Sequence, residues 1–333
     1  MILIFTIQYD FSSTSIVQLL TLMGHSVVRI NADDSVHKFE RIGSDGSIYF
    51  KNTITNESIN LSKVTACWWR RTGISQNHFF SGEKEFNINQ SELTFLKEKK
   101  IDYFFDEFMS LKEYIFNSLY RTTEINLGKP LFNLNRLLVL DVARRNNLKV
   151  PDYEVIINGE QLLATKQSLG RSVTKAISNG VQWESENCRF YTYTELIEDD
   201  FYERSVNTNF FPSLVTGLIE KELEIRTFYI DGSFFSMAIF SQSDKKTSID
   251  FRKYTNNRNE PYKLPFDVEE KLKNIFTDLE LNCGSADLIL DKNGEYIFLE
   301  INPVGQYAMT SLPCNYNLDK KIANYLINGN IRN

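Results

Sequence analysis

Gly284-Ser-Ala-Asp-Leu-Ile-Leu-Asp-Lys-Asn-Gly-Glu-Tyr-Ile-Phe-Leu-Glu-Ile-Asn-Pro303 decides how this chain is read. Two β-rich runs flank Asn293-Gly294, a dipeptide strongly favoured in two-residue hairpin turns. With those residues as the turn, Lys292 pairs with Glu295, and counting outward sets Asp287 opposite Glu300. Asn302 follows two residues on, along the same strand face. Directly opposed Cβ atoms lie about 5 Å apart, where like charges repel. Two facing carboxylates plus an amide therefore read as a divalent-cation site, and three oxygen donors suit Mg²⁺ or Ca²⁺ rather than zinc. The alternative is a solvated hairpin face whose charges never meet.

Bulk properties narrow the classes. The 333 residues suffice for two or three domains with buried cores, and 42% hydrophobic with 24% charged residues describe a soluble globular chain. A net charge of −6 argues against a nucleic-acid partner, which needs clustered Lys and Arg. The start Met-Ile-Leu-Ile-Phe-Thr-Ile lacks a basic segment and meets Gln8 and Asp10 too early for a secretion signal. No apolar run is long enough to cross a bilayer, so no membrane partner is expected. Cys67, Cys188, Cys283 and Cys314 are scattered, which fits reduced thiols in a cytoplasm. The three histidines, His25, His37 and His78, all lie in the first quarter. Chemistry elsewhere must proceed without imidazole, which disfavours zinc hydrolases and Ser-His-Asp machinery there.

Along the chain, residues 2–7, a helix from Thr14 to Met23 ended by Gly24, and Ser26 to Ile30 predict an opening βαβ unit. Gln8 to Ser15 stands where a glycine-rich dinucleotide loop would be, so a dinucleotide site is not indicated. Val64 to Arg71 reads as a strand ending on Arg70-Arg71. From Ser91 to Tyr120 the pattern is helical, with Leu93, Leu96, Phe104, Phe105, Phe108, Leu111, Ile115 and Leu119 as its apolar stripe. Gly128-Lys129-Pro130 marks a boundary. Leu134 to Asn147 is helical with Asn133 or Asn135 as N-cap, and Glu224 to Ile230 and Ser233 to Phe240 form a hairpin around Asp231-Gly232. Asp267 to Leu281 is a helix with Asp267 and Glu270 as a capping box. Leu318 to Leu326 is the last helix. The expected architecture is a small α/β domain over residues 1–128, then α+β lobes over 129–213 and 214–333.

Three further features stand above background. Lys175 lies on a short strand in Val173-Thr-Lys-Ala-Ile177, pointing either to solvent or to a site. Glu220-Lys-Glu-Leu-Glu-Ile-Arg226 is a charge run of the kind usually solvated, yet strand alternation places Glu224 and Arg226 on one face. Asp250-Phe251-Arg252 is uninformative alone.

In order, an Asn-Arg helix closing on Val-Pro, a strand Lys, Glu-x-Arg, an Asp in a hairpin and Glu-x-Asn resemble the ATP-grasp superfamily of carboxylate–amine ligases, from about Leu131 to Leu326. A closer resemblance is to the maturases of graspetides (microviridin-type peptides), in the grasp-with-spasm branch. It rests on Trp68-Trp69-Arg70-Arg71, Asn135-Arg136 with Ala143 and Val150-Pro151, Thr174-Lys175-Ala176-Ile177, Glu224-Ile225-Arg226, Leu299 to Gln306, and the tail Leu312 to Ile322.

The resemblance implies an ATP-grasp fold and two Mg²⁺ ions held by Asp287, Glu300 and Asn302. It implies that Lys175 contacts the ATP α- and β-phosphates, with Arg136 where the family usually has a second Lys. An Arg keeps the charge but presents a planar fork. Thr216 to Ile219 would form the adenine hinge, Leu218 and Ile219 giving mostly backbone, although Thr216-Gly217 replaces the usual Gln-Glu. Glu224 would hold the ribose, with Arg226 and Arg252 near the γ-phosphate. The implied partner is a ribosomal precursor peptide with a leader, cross-linked through activated Asp or Glu side chains as esters or amides. Arg70 and Arg71 would suit an acidic core peptide. Tyr103 to Leu119 reads as core or subunit contact, compatible with a homodimer. The alternatives are a ligase joining a free amino acid to a small molecule or protein terminus, and a non-catalytic peptide-binding homologue.

Overall fold

The computed structural model describes residues 1–79, 93–130, 134–178, 180, 182–185, 188–191, 194–241 and 257–331. The chain divides into two compact units, Met1–Phe132 with Asn317–Asn333, and Asn133–Tyr316.

The first unit is built on a parallel sheet in which Ile2–Thr6 lies between Val27–Asn31 and Ala66–Trp69, with Ile125–Leu127 outermost. The opening strand is buried throughout, as a parallel strand covered on both faces must be. Asp10 caps the helix Phe11–Leu22, its side chain accepting from Ser13 N. The sequence reading missed the antiparallel sheet of His37–Ile42, Ile48–Asn52 and Ser58–Asn60. These strands share one core with the long helix Leu93–Thr122, in which Phe5, Phe50, Trp69, Ile115 and Phe116 pack together. The predicted stripe on that helix is only partly interior. Phe108, Ile115 and Leu119 are buried, but Phe104 and Phe105 stay exposed. The last helix, Leu318–Asn328, belongs to this unit and packs on Phe11–Leu22.

The second unit holds three antiparallel sheets, the smallest pairing Gln182–Ser185 with Cys188–Tyr191. Five strands run in the order Arg258–Tyr262, Ser233–Phe240, Lys221–Ile230, Cys283–Asp291, Tyr296–Asn302. Four others run Glu195–Leu196, Ser172–Lys175, Asn209–Gly217, Tyr153–Asn158. The strand Asn209–Gly217 crosses position 213, where the sequence reading divided two lobes. Asp231 and Gly232 turn the predicted hairpin with φ of 47° and 80°, as a two-residue loop of this kind requires.

Helix Phe266–Asp278 stacks Phe276 on Tyr229 with ring centroids 4.3 Å apart. Fully burying a ring of that size stabilises the fold by roughly 2–3 kcal/mol. The expected capping box fails here. Pro265 occupies the cap position, so the helix begins earlier and Asp267 falls inside the first turn, where its charge meets the helix dipole. Helix Arg136–Arg145 sets Val139, Leu140 and Ala143 into the same core, with Asn135 accepting from Leu137 N and Leu138 N at its start. Packing through that face fixes where Arg136, at the first turn, is delivered.

Candidate functional site

Asp287 and Glu300 are directly paired, as the hairpin count required, but by a route the count did not contain. The loop is not Asn293-Gly294 alone. Asp291 N donates to Glu295 O at 3.0 Å and Gly294 N to Asp291 O at 3.0 Å, leaving Lys292, Asn293 and Gly294 as a three-residue loop with Gly294 at φ 82°. That loop moves the register by one: Leu290, Ile289 and Leu288 face Tyr296, Ile297 and Phe298. A bulge then restores it, and Asp287, Ala286 and Ser285 face Glu300, Ile301 and Asn302. Leu299 is the inserted residue. Without the bulge Leu299 would oppose Asp287, and Glu300 would turn to the other face.

Arg226, on the neighbouring strand, is also in register with Asp287. One row across three strands thus reads Arg226, Asp287, Glu300. Arg226 Nη1 donates to Asp287 Oδ2 at 3.2 Å and Nη2 to Gln306 Oε1 at 3.4 Å. Arg136 reaches the far end of the row, Nη2 donating to Glu300 Oε2 at 2.7 Å. Its Nη1 donates to Ala176 O and lies 3.5 Å from Ser178 O, in the segment just beyond Lys175. Each carboxylate of the row therefore already has a guanidinium. Arg136 Nε and Arg226 Nε are buried without a hydrogen-bond partner, an arrangement that favours an anion able to supply acceptors.

Asn302 is fixed by the chain that leaves the strand. Val304 N donates to Asn302 Oδ1 at 3.0 Å and Gly305 N to Asn302 O at 3.1 Å. The return is tight enough to need glycine twice. A Cβ on Gly305, at φ 62°, would stand 2.9 Å from Phe228 Cε2, and one on Gly284 would stand 3.1 Å from Asn302 O.

Glu224 and Arg226 lie on the same face of Lys221–Ile230, two residues apart. Glu224 Oε1 accepts from Lys221 Nζ at 2.5 Å and from Ser241 Oγ at 2.7 Å. In the four-stranded sheet, Lys175 pairs with Leu214, which pairs with Val155. This row lies on the face opposite Ile156 and Val215, which pack on Leu162 and Tyr202. Lys175 is half-buried on that second face, with Val155 and Ile157 exposed beside it. Leu218 N donates to Arg171 O at 2.7 Å as the chain leaves Asn209–Gly217, and Leu218 and Ile219 are half-buried.

Arg70 and Arg71 part company. Arg70 is buried, donating from Nε to Asp10 Oδ2 at 3.0 Å, while the Arg71 side chain keeps 34% of its surface and lies 3.8 Å from the same oxygen. Burial raises the Asp10 carboxyl, but the two arginines and its hydrogen bonds outweigh it and hold it below its usual range. Arg252 lies outside the described residues. His37 and His78 are buried, and burial lowers both imidazoles. All four cysteines are free thiols. Gln306, Lys221 and Ser241 were not singled out from sequence. Gln306 was visible only as the end of a motif, and Lys221 only as part of a charge run. Among the described residues no group of three His, Cys, Asp or Glu side chains is gathered as a metal site, and no helix is long and apolar enough to cross a membrane.

No family model matches the chain, and no curated protein matches it. Solved structures do. The macrocyclase MdnC of Microcystis aeruginosa MRC, bound with precursor peptide MdnA, is 24% identical at a TM-score of 0.76, over 98% of this chain and 99% of that one. A Chryseobacterium gregarium RiPP-associated ATP-grasp ligase, in complex with ADP and a leader and core peptide, is 22% identical at 0.76, over 100% and 98%. The ATP-grasp ligase PsnB, complexed with minimal precursor, Mg and ADP, is 14% identical at 0.69, over 98% and 97%. The chain has the ATP-grasp fold.

Proposed function

We propose that this protein is an ATP-dependent macrocyclase of a ribosomally made precursor peptide, activating Asp or Glu side chains as acyl phosphates and joining them to Thr, Ser or Lys side chains as esters or amides. The row Arg226, Asp287, Glu300, with Arg136 entering from the side, is the observation that carries this reading. Its setting within a fold like those of a macrocyclase and two RiPP-associated or precursor-bound ATP-grasp ligases supports it.

Joining a carboxylate to an amine or hydroxyl in water is uphill, so the carboxylate must first be activated. Phosphoryl transfer to it needs alignment and charge neutralisation more than proton shuttling. A site of arginines, a lysine and carboxylates, with no histidine in its own unit, fits that demand. The donor set also fits magnesium: Asp287, Glu300 and Asn302 offer hard oxygens, too few to enclose an ion, which leaves positions for phosphate oxygens and water. Two bound Mg²⁺ would neutralise the phosphate charge that develops during transfer.

The chain's own groups take these parts. Lys175 and Arg136 grip the α- and β-phosphates, Arg136 exchanging its contact with Glu300 for the nucleotide. Leu218 and Ile219 present backbone to the adenine, and Glu224 accepts from the ribose hydroxyls. Arg226, steadied by Gln306, faces the transferred phosphoryl group, together with Arg252. Arg71, which keeps an exposed edge, meets acidic side chains of the core peptide. Arg70, buried against Asp10, takes a structural part instead. We further propose action in the cytoplasm, where ATP is supplied and thiols stay reduced, a leader-bearing substrate, two lobes built on the two larger sheets of the second unit, and a homodimer through the exposed aromatic face of Leu93–Thr122.

The test is direct. Incubated with a candidate precursor, ATP and Mg²⁺, the enzyme should lower the peptide mass by about 18 Da, one water, per link formed, with one ADP released each time. Unchanged peptide beside intact ATP contradicts the reading. ADP release dependent on a free amino acid instead would move the assignment to a small-molecule ligase.

A further inference from the structure

We infer that Lys221 is a positioning residue for the nucleotide: with Ser241 it fixes Glu224 as the acceptor for the ribose hydroxyls. The inference rests on the ATP reading above and deepens it. Lys221 and Glu224 are three residues apart on one strand, so regular alternation would send them to opposite faces. The register against Cys283–Asp291 shifts between Lys221 and Leu223, with Lys221 facing Asp291 and Leu223 facing Leu290. The shift absorbs Glu222, which is exposed, and brings Lys221 round to the side of Glu224. The entry to the strand is held from outside, Lys292 N donating to Glu220 O and Lys292 Nζ to Glu220 Oε2, both at 3.1 Å.

The result is a closed ion pair. Side-chain exposure is 4% at Lys221 and 10% at Glu224, and the separation is 2.5 Å. Burying a lysine merely to stabilise a fold is a poor device, because desolvation offsets most of the attraction. Here the ammonium does something packing cannot. It and the Ser241 hydroxyl both donate to Oε1, which anchors the carboxylate through that oxygen and leaves Oε2 to accept from the ribose. It also cancels a negative charge that would otherwise stand beside a polyphosphate. Lys221 is too enclosed to touch the nucleotide itself and acts through Glu224.

Binding of ADP, 2′-deoxyADP and 3′-deoxyADP to the full chain, followed by calorimetry in Mg²⁺ without peptide, tests this. The wild type should bind ADP roughly tenfold to a hundredfold more tightly than the deoxy nucleotides, the discrimination expected when a charged acceptor loses its donor. In Lys221→Met that ratio should fall to within about threefold, and Lys221→Arg should restore part of it. Ser241→Ala removes one donor from the same oxygen and should give an intermediate ratio, which keeps the test available if Lys221→Met does not fold. A merely structural lysine would weaken all three nucleotides alike. An unchanged ratio in Lys221→Met or Ser241→Ala overturns the inference. Wild type that binds ADP without ribose discrimination overturns it while leaving the macrocyclase reading intact. Wild type that binds no nucleotide at all removes both.

Discussion

Two arginine–aspartate pairs in this chain share a chemistry and differ in setting. Asp10 and Arg70 are sealed, with side-chain exposures of 5% and 3%. Asp10 also accepts from Thr6 Oγ1 at 3.2 Å and Ser13 N at 3.3 Å, so each of its oxygens is engaged. The row in the second unit is more open. Asp287 keeps 18% and Glu300 33% of side-chain surface, and their guanidinium partners carry buried Nε groups with no acceptor. A sealed pair fastens two ends of strands. A half-open pair with donors in reserve can be re-partnered when a phosphate and a cation arrive. The difference lies in what remains unsatisfied, not in the residues.

The largest effect that could break this comparison is on activity. Glu300→Gln or Asp287→Asn should cut turnover by roughly a thousandfold or more, since several kcal/mol of charge stabilisation at the phosphate would go. Thermal unfolding should show the same variants folded and only modestly less stable than the wild type, because each loses a half-open ion pair but also a like-charge neighbour in the row. Loss of folding instead would make the row structural, like Asp10 and Arg70. The converse variant, Arg70→Met, strands a buried carboxylate and should cost about 3–5 kcal/mol in urea unfolding. The second unit should keep its affinity for nucleotide.

Much of the site was legible because its spacing is local. Alternation along Glu224-Ile225-Arg226 and across the hairpin needs only strand periodicity, and it placed Asp287 against Glu300. It did so through two departures that cancel, a three-residue loop and the Leu299 bulge. Neither is written in a single residue type, since Asn-Gly serves both loop lengths and a bulge has no strong composition. What stayed hidden was tertiary. Arg136 and Glu300 are 164 residues apart, and only the packing of Val139 and Leu140 into the sheet core brings them together. The sheet of residues 37–60 was missed because its strands are short and mostly polar. Lys221 looked solvated because one unseen bulge changed its face.

Smaller effects sharpen the contrast. Arg136→Lys keeps the charge but cannot hold Glu300 and the Ala176 carbonyl together, so KM for ATP should rise up to about tenfold with kcat changed less. Arg136→Met should do worse, and equal kinetics in both would remove the phosphate role. The sealed region should show a pH dependence of its own. Burial lowers the imidazoles of His37 and His78 in the folded chain, so the unfolded chain binds protons first. Stability is then full above the ordinary value of 6.5 and falls as the pH drops below it toward the lowered values. Urea midpoints at pH 7.5 and 5 should differ for the wild type and differ less in His37→Gln, where only His78 remains, and an undiminished difference would contradict the assignment.

Manganese binding, followed by electron paramagnetic resonance with ADP present, tests the half-open row most directly. Wild type should take up the ion only together with the nucleotide, and Glu300→Gln with Asp287→Asn should lose that uptake while still binding ADP. Uptake that is unchanged in the double variant, or equally strong without nucleotide, would contradict the assignment of Asp287 and Glu300 as the groups that hold metal against phosphate.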